Sequence, residues 1–169
     1  MKKVKMFLSA MILMFIISSC EKEIPYGHPT CDTCDWNVLT CKVDGVPWQA
    51  KVDCDFLGNC DPVDCQFYAL SKFIEFGGRN LENDKGISIH KTNSYVNQIL
   101  SSEANYFNSA EVGNCKVYEN DTTVHSFFQI LNLDTTKKII EGKFEYLVQN
   151  DCLSKVKISD GYFKLTYRP

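Results

Sequence analysis

The chain has 169 residues, nine cysteines, 12% aromatic residues and a formal net charge of −3. Its first 19 residues carry three lysines and no acid, so without them the charge falls to −6. A mildly acidic body of about 150 residues argues against nucleic acid or anionic lipid as a charge-driven partner, and it has room for one well-buried domain rather than two.

Lys2, Lys3 and Lys5 form a basic start, and Phe7 to Ile17 an apolar run of secretory-signal length, too short and wrongly flanked to span a bilayer. The run closes on Ile17-Ser18-Ser19-Cys20, which resembles the lipobox of bacterial lipoproteins. That resemblance implies cleavage before Cys20 and acylation of its sulfur, with palmitate-type chains as the membrane attachment. An ordinary signal whose cysteine joins a disulfide is the alternative, and it leaves the exported compartment unchanged. Residues 1–19 are therefore expected as signal peptide, 20–37 as a lipidated tether and 38–169 as a β domain. The tether carries Pro25, Pro29 and Gly27 and no apolar period.

Eight cysteines remain: Cys31, Cys34, Cys41, Cys54, Cys60, Cys65, Cys115 and Cys152. In an exported chain an even number reads as disulfides, here as many as four. The simplest partition is three local bridges within 31–65 and one long bridge, Cys115 to Cys152.

The domain opens with Leu39, Cys41 and Val43 alternating with polar neighbours, and Asp44-Gly45 supplies a type I′ turn into a return strand over 46–52. Residues 53–65, rich in aspartate and cysteine, read as a pinned loop. Strand signals resume at Phe67 and run through Phe76 to a break at Gly77-Gly78. Shorter runs follow at 87–90, 96–100, 106–107 and 116–118. Residues 124–133 and 138–148 flank Asp134 to Lys137 as a hairpin, with Ile140, Gly142, Phe144, Tyr146 and Val148 on one face. A last hairpin turns at Ser159-Asp160-Gly161. These signals predict an all-β domain of about eight to ten strands, a single antiparallel sandwich or an up-and-down barrel.

Three short motifs resemble a family of Bacteroidota lipoproteins classed as a domain of unknown function. They are Cys41-Lys42-Val43-Asp44-Gly45-Val46-Pro47-Trp48, the late hairpin Leu133-Asp134 with Ile139-Ile140 and Gly142-Lys143-Phe144-Glu145-Tyr146, and Ile158-Ser159-Asp160-Gly161-Tyr162-Phe163. The resemblance covers roughly residues 39–167 and implies an antiparallel β domain on a lipid anchor, with no activity to carry over. The cysteine-rich stretch 31–65 departs from it. Glu21 and Glu23 are similar to acidic signals that send lipoproteins of that phylum to the cell surface, although Lys22 interrupts them.

The sharpest chemical pattern is Cys31-Asp32-Thr33-Cys34, the spacing of a redox dithiol. Asp32 and Asp35 disfavour the thiolate, and no strand-helix context surrounds the pair, so a structural disulfide is expected. A zinc site would need two close cysteine pairs, and calcium would need an EF-hand spacing that Asp53, Asp55, Asp61 and Asp64 lack. His28, His90 and His125 stand apart from any nucleophile motif. No catalytic residue, metal ligand or cofactor is therefore assigned. Trp36, Trp48, Tyr68, Phe73, Phe76, Tyr106, Tyr118 and Tyr162 suit either a glycan-stacking surface or core packing.

The expectation is a lipoprotein of the cell envelope, outer-membrane anchored and facing the periplasm or the cell surface. Its β domain would bind a glycan or an envelope protein without catalysis. The alternatives are a structural accessory subunit of an envelope complex, and a hydrolase whose site is assembled from distant residues.

Overall fold

The computed structural model describes residues 37–51, 62–121, 123–124 and 126–169. Cys20, Cys31, Cys34, Cys54, Cys60, Trp36, His28, His125, Asp53, Asp55 and Asp61 lie outside them.

Left-handed positions at Asp44 (φ 50°) and Gly45 (φ 81°) make the expected tight hairpin between β1 (Val38–Val43) and β2 (Val46–Gln49). The Asp44 carboxylate accepts from Lys157 N at 2.8 Å, which ties the turn to the strand that pairs with Val38–Val43. The next strands are β3 (Val63–Tyr68), β4 (Phe73–Asn80), β5 (Lys85–Lys91), the two-residue β6 (Ile99–Leu100) and β7 (Glu103–Asn108). A 3-10 turn, Gly113–Lys116, leads into β8 (Val117–Asn120), followed by β9 (Phe127–Asp134), β10 (Ile139–Asn150) and β11 (Lys155–Thr166).

All eleven belong to one antiparallel sheet that curls into a half-barrel: nine follow the order β2-β1-β11-β10-β8-β7-β5-β4-β3, and β9, which pairs with β10, carries β6 off that path. Two short parallel bridges, Lys51 with Asn80 and Gln66 with Arg168, draw the ends of the curl toward each other. The all-β expectation holds, and of the two forms expected the single curled sheet is the barrel-like one.

On β10 every second residue from Ile140 to Asn150 is buried, the period of a strand with one wet face. Phe76, Phe128, Phe144 and Phe163 meet inside the curl, with Phe76 and Phe163 centroids 4.5 Å apart and Phe128 stacked on Phe163 at 5.6 Å. Each fully buried ring of this kind stabilises by about 1.5–3 kcal/mol, so this cluster dominates the core.

Three local expectations are corrected. Ser159-Asp160-Gly161 is no hairpin turn: β11 runs straight through it, because Asp160 (φ 53°) takes up an extra residue as a bulge against both β1 and β10. Gly161 lies so close to Phe144 that an added Cβ would sit 2.5 Å from its ring. Gly77-Gly78 is no break either. β4 passes through both glycines, and Gly78 lets Ala50 and Leu39 pack onto the strand. The actual turn comes earlier, at residues 69–72, where Leu70 is fully exposed and Lys72 has φ 51°. Finally, the loop assigned to 53–65 ends sooner, since Val63, Asp64 and Cys65 pair with Gly78, Gly77 and Phe76.

The long disulfide is present. Cys115 and Cys152 are bonded across a sequence separation of 37, with Cα atoms 5.5 Å apart. Cys41 departs from the bridged set. It is a buried thiol on the inner face of β1, its side chain committed to core packing, and burial pushes its pKa up to about 12.

Candidate functional site

The length of β10 creates the most distinctive place on the domain. Its first half, 139–145, pairs with β9, whereas 148–150 pair with β8 on the same edge. Between them the sheet divides into two leaves, β6–β9 and β7–β8. Asp121, just past β8, donates its N–H to Leu147 O at 2.8 Å and marks the split.

A cleft of about 540 Å³ lies between the leaves, the largest of the described depressions. The end of β5 supplies His90, Lys91 and Thr92, β6 supplies Ile99 and Leu100, and the corner into β7 supplies Ser101, Ser102 and Glu103. Asn120, Val124 and Ser126 complete it from β8 and the connection that follows. Polar groups from four separate segments thus converge on one concavity beside a small apolar strip.

The wall behind the cleft is rigid. Ser102, 5% exposed, shares a hydrogen bond between its Oγ and the Tyr146 hydroxyl, and burial raises the pKa of that phenol. Asn120 Nδ2 donates to Ser102 O at 3.2 Å. Asn120 Oδ1 is buried and accepts no hydrogen bond among the described residues, a shortfall of about 1–3 kcal/mol. His90 and Glu103 are cross-strand neighbours, and Nε2 lies 2.8 Å from Oε2. With the Glu103 side chain 78% exposed, that pair adds at most about 1 kcal/mol. Lys91 forms no ion pair among the described residues.

This arrangement is poorly suited to nucleophilic catalysis. Ser102 Oγ is engaged by Tyr146 and His90 Nε2 by Glu103, so neither makes the serine-histidine contact that activates a nucleophile. Among the described residues no three His, Cys, Asp or Glu side chains converge on a metal-sized site. Asp64, one of the four aspartates weighed for calcium, is paired with Arg168 instead.

Of the aromatic residues weighed for stacking, Trp48, Phe76, Tyr106 and Tyr118 are buried in the core, Phe73 and Tyr162 are half-buried, and Tyr68 is exposed. A second depression, about 360 Å³ at one mouth of the half-barrel, is floored by Trp48, Tyr106 and Tyr118. Their exposures are 4%, 1% and 2%, which leaves no ring face for a sugar to stack on. Tyr118 donates to Glu111 at 3.4 Å, and Trp48 Nε1 is buried without an acceptor among the described residues. Within the curl the phenylalanine cluster fills the space a barrel ligand would need.

Of the cleft residues, sequence reading singled out only His90. Ser102, Glu103 and Asn120 belong to no motif. The one available signal was Ser101-Ser102, a polar corner directly after an apolar strand. No family model, no curated protein and no solved structure matches the chain.

Proposed function

We propose that the protein is an envelope lipoprotein, anchored through acylated Cys20, whose β domain binds a small polar ligand without catalysis in the cleft between the β6–β9 and β7–β8 leaves. The observation that carries the binding role is the convergence of His90, Ser101, Asn120 and Ser126 on one 540 Å³ concavity, with a fixed wall behind it. The anchor rests on the Ile17-Ser18-Ser19-Cys20 ending and the basic and apolar stretches before it. Two or more acyl chains on Cys20 would hold the domain stably at the membrane, with the proline-bearing tether between them.

Native mass spectrometry of the protein purified from its own membranes tests both parts. A diacyl or triacyl Cys20 is expected, together with a small-molecule adduct that the cleft-filling variant Ser101→Trp loses. An unmodified Cys20 refutes the anchor. An adduct that survives Ser101→Trp refutes the cleft.

A second reading, an accessory subunit of an envelope complex, draws on the exposed apolar side chains Tyr95, Val96, Ile99 and Val124 around the same region. A stoichiometric protein partner that masks them would favour it.

A further inference from the structure

Taking the cleft as the binding site just proposed, we infer that its ligand is an acidic saccharide unit, a uronic-acid-type sugar whose carboxylate meets Lys91.

The charge inventory selects the acid. His90 and Glu103 satisfy each other at 2.8 Å, which leaves Lys91 as the cleft cation without a carboxylate among the described residues. A ligand carboxylate there would form a charge-assisted hydrogen bond, about twice as strong as a neutral one. A free amino acid fits less well, because its ammonium group would find Glu103 already occupied. A nucleotide would want several cations and an exposed ring face, and the cleft lining contains no aromatic residue except His90.

The neutral groups select the sugar. Ser101 and Ser126 offer hydroxyls that both donate and accept, which suits ring hydroxyls that do the same. Asn120 adds an amide to the lining, and its Nδ2 is already held by Ser102 O at 3.2 Å. Ile99 and Leu100 give a short apolar strip for the C–H face of a pyranose. A volume of about 540 Å³ lies within the range of small-molecule sites, roughly 300–1,000 Å³.

The test is calorimetric titration of the full, membrane-purified protein with glucuronate, galacturonate and glucose, on wild type, Lys91→Met, Lys91→Arg and Ser101→Trp. Circular dichroism and melting curves certify that each variant folds. Uronate binding is expected to weaken about tenfold in Lys91→Met, to recover in Lys91→Arg and to vanish in Ser101→Trp. Glucose that binds as tightly as uronate, with Lys91→Met making no difference, overturns the acidic class and leaves the cleft standing. No sugar binding, while a native adduct is still lost in Ser101→Trp, overturns the saccharide and again leaves the cleft. If wild type takes up no sugar and carries no adduct, the cleft reading falls with it.

Discussion

Removing the Cys115–Cys152 bridge should destabilise the domain by about 4 kcal/mol, chiefly through the unfolded chain. The bond closes a loop across a sequence separation of 37. The chain-entropy relation then gives about 13 cal/mol/K, or about 4 kcal/mol at 25 °C. Little native packing is lost with the sulfurs, since Cys152 is exposed and Cys115 half-buried. The surrounding scaffold persists without them. Asn150 Nδ2 donates to Cys115 O at 2.7 Å, and Asn150 Oδ1 accepts from Cys152 N and Ser154 N. The double variant Cys115→Ala/Cys152→Ala should therefore keep the native near-UV spectrum while its urea midpoint falls. Its m-value should rise, because the freed unfolded chain exposes more surface. Urea titration followed by tryptophan fluorescence reads both quantities. A loss under about 1 kcal/mol with an unchanged m-value would refute the reasoning.

Gly161→Ala should cost about 1–3 kcal/mol or more in thermal unfolding, because the new Cβ meets both the ring and the carbonyl of Phe144; a neutral outcome would mean the bulge can shift. Cys41 should resist iodoacetamide at pH 8 in the folded protein and react once urea unfolds it. Since its folded pKa is raised to about 12 while the unfolded thiol ionises near 8.5, the stability its burial supports should decline as pH rises above about 8.5; a flat profile for wild type that matches Cys41→Ala would contradict this. Asp121 is held down to about pKa 2 by hydrogen bonds from Lys155 and Thr123. Its contribution is complete above the unfolded value near 3.9 and is lost as pH falls toward 2, so Asp121→Asn should flatten acid unfolding in that window. An unchanged acid midpoint would count against the Lys155 contact.

What was legible in the sequence was whatever depends on near neighbours. Asp44-Gly45 supplies the two left-handed residues a tight hairpin needs, and the alternation on β10 shows its buried face without any partner strand. The pairing of Cys115 with Cys152 followed from their isolation from the other six. Asp160-Gly161 carries the same local signal as Asp44-Gly45 but sits in a bulge, because strands on both sides hold β11 in line. Gly77-Gly78 likewise looks like a break until Leu39 and Ala50, packed close over Gly78, and Ile87 and Ser88 of β5, close beside Gly77, show why side chains are absent. The cleft was illegible for a related reason. His90, Ser102 and Asn120 come together only because β10 takes two partners on one edge, a long-range register that no local pattern encodes. The aromatics left two readings open, since a ring that packs the core and a ring that stacks a ligand have the same sequence.

The central claim is the location of the binding site, and amide chemical-shift mapping tests it most directly. The ¹⁵N-labelled domain would be titrated with small-molecule extract from the envelope of the producing cells. The account predicts shifts concentrated at residues 90–92, 99–103, 120 and 126. Shifts centred instead on Trp48, Tyr106 and Glu111 at the half-barrel mouth, or none anywhere, would contradict it.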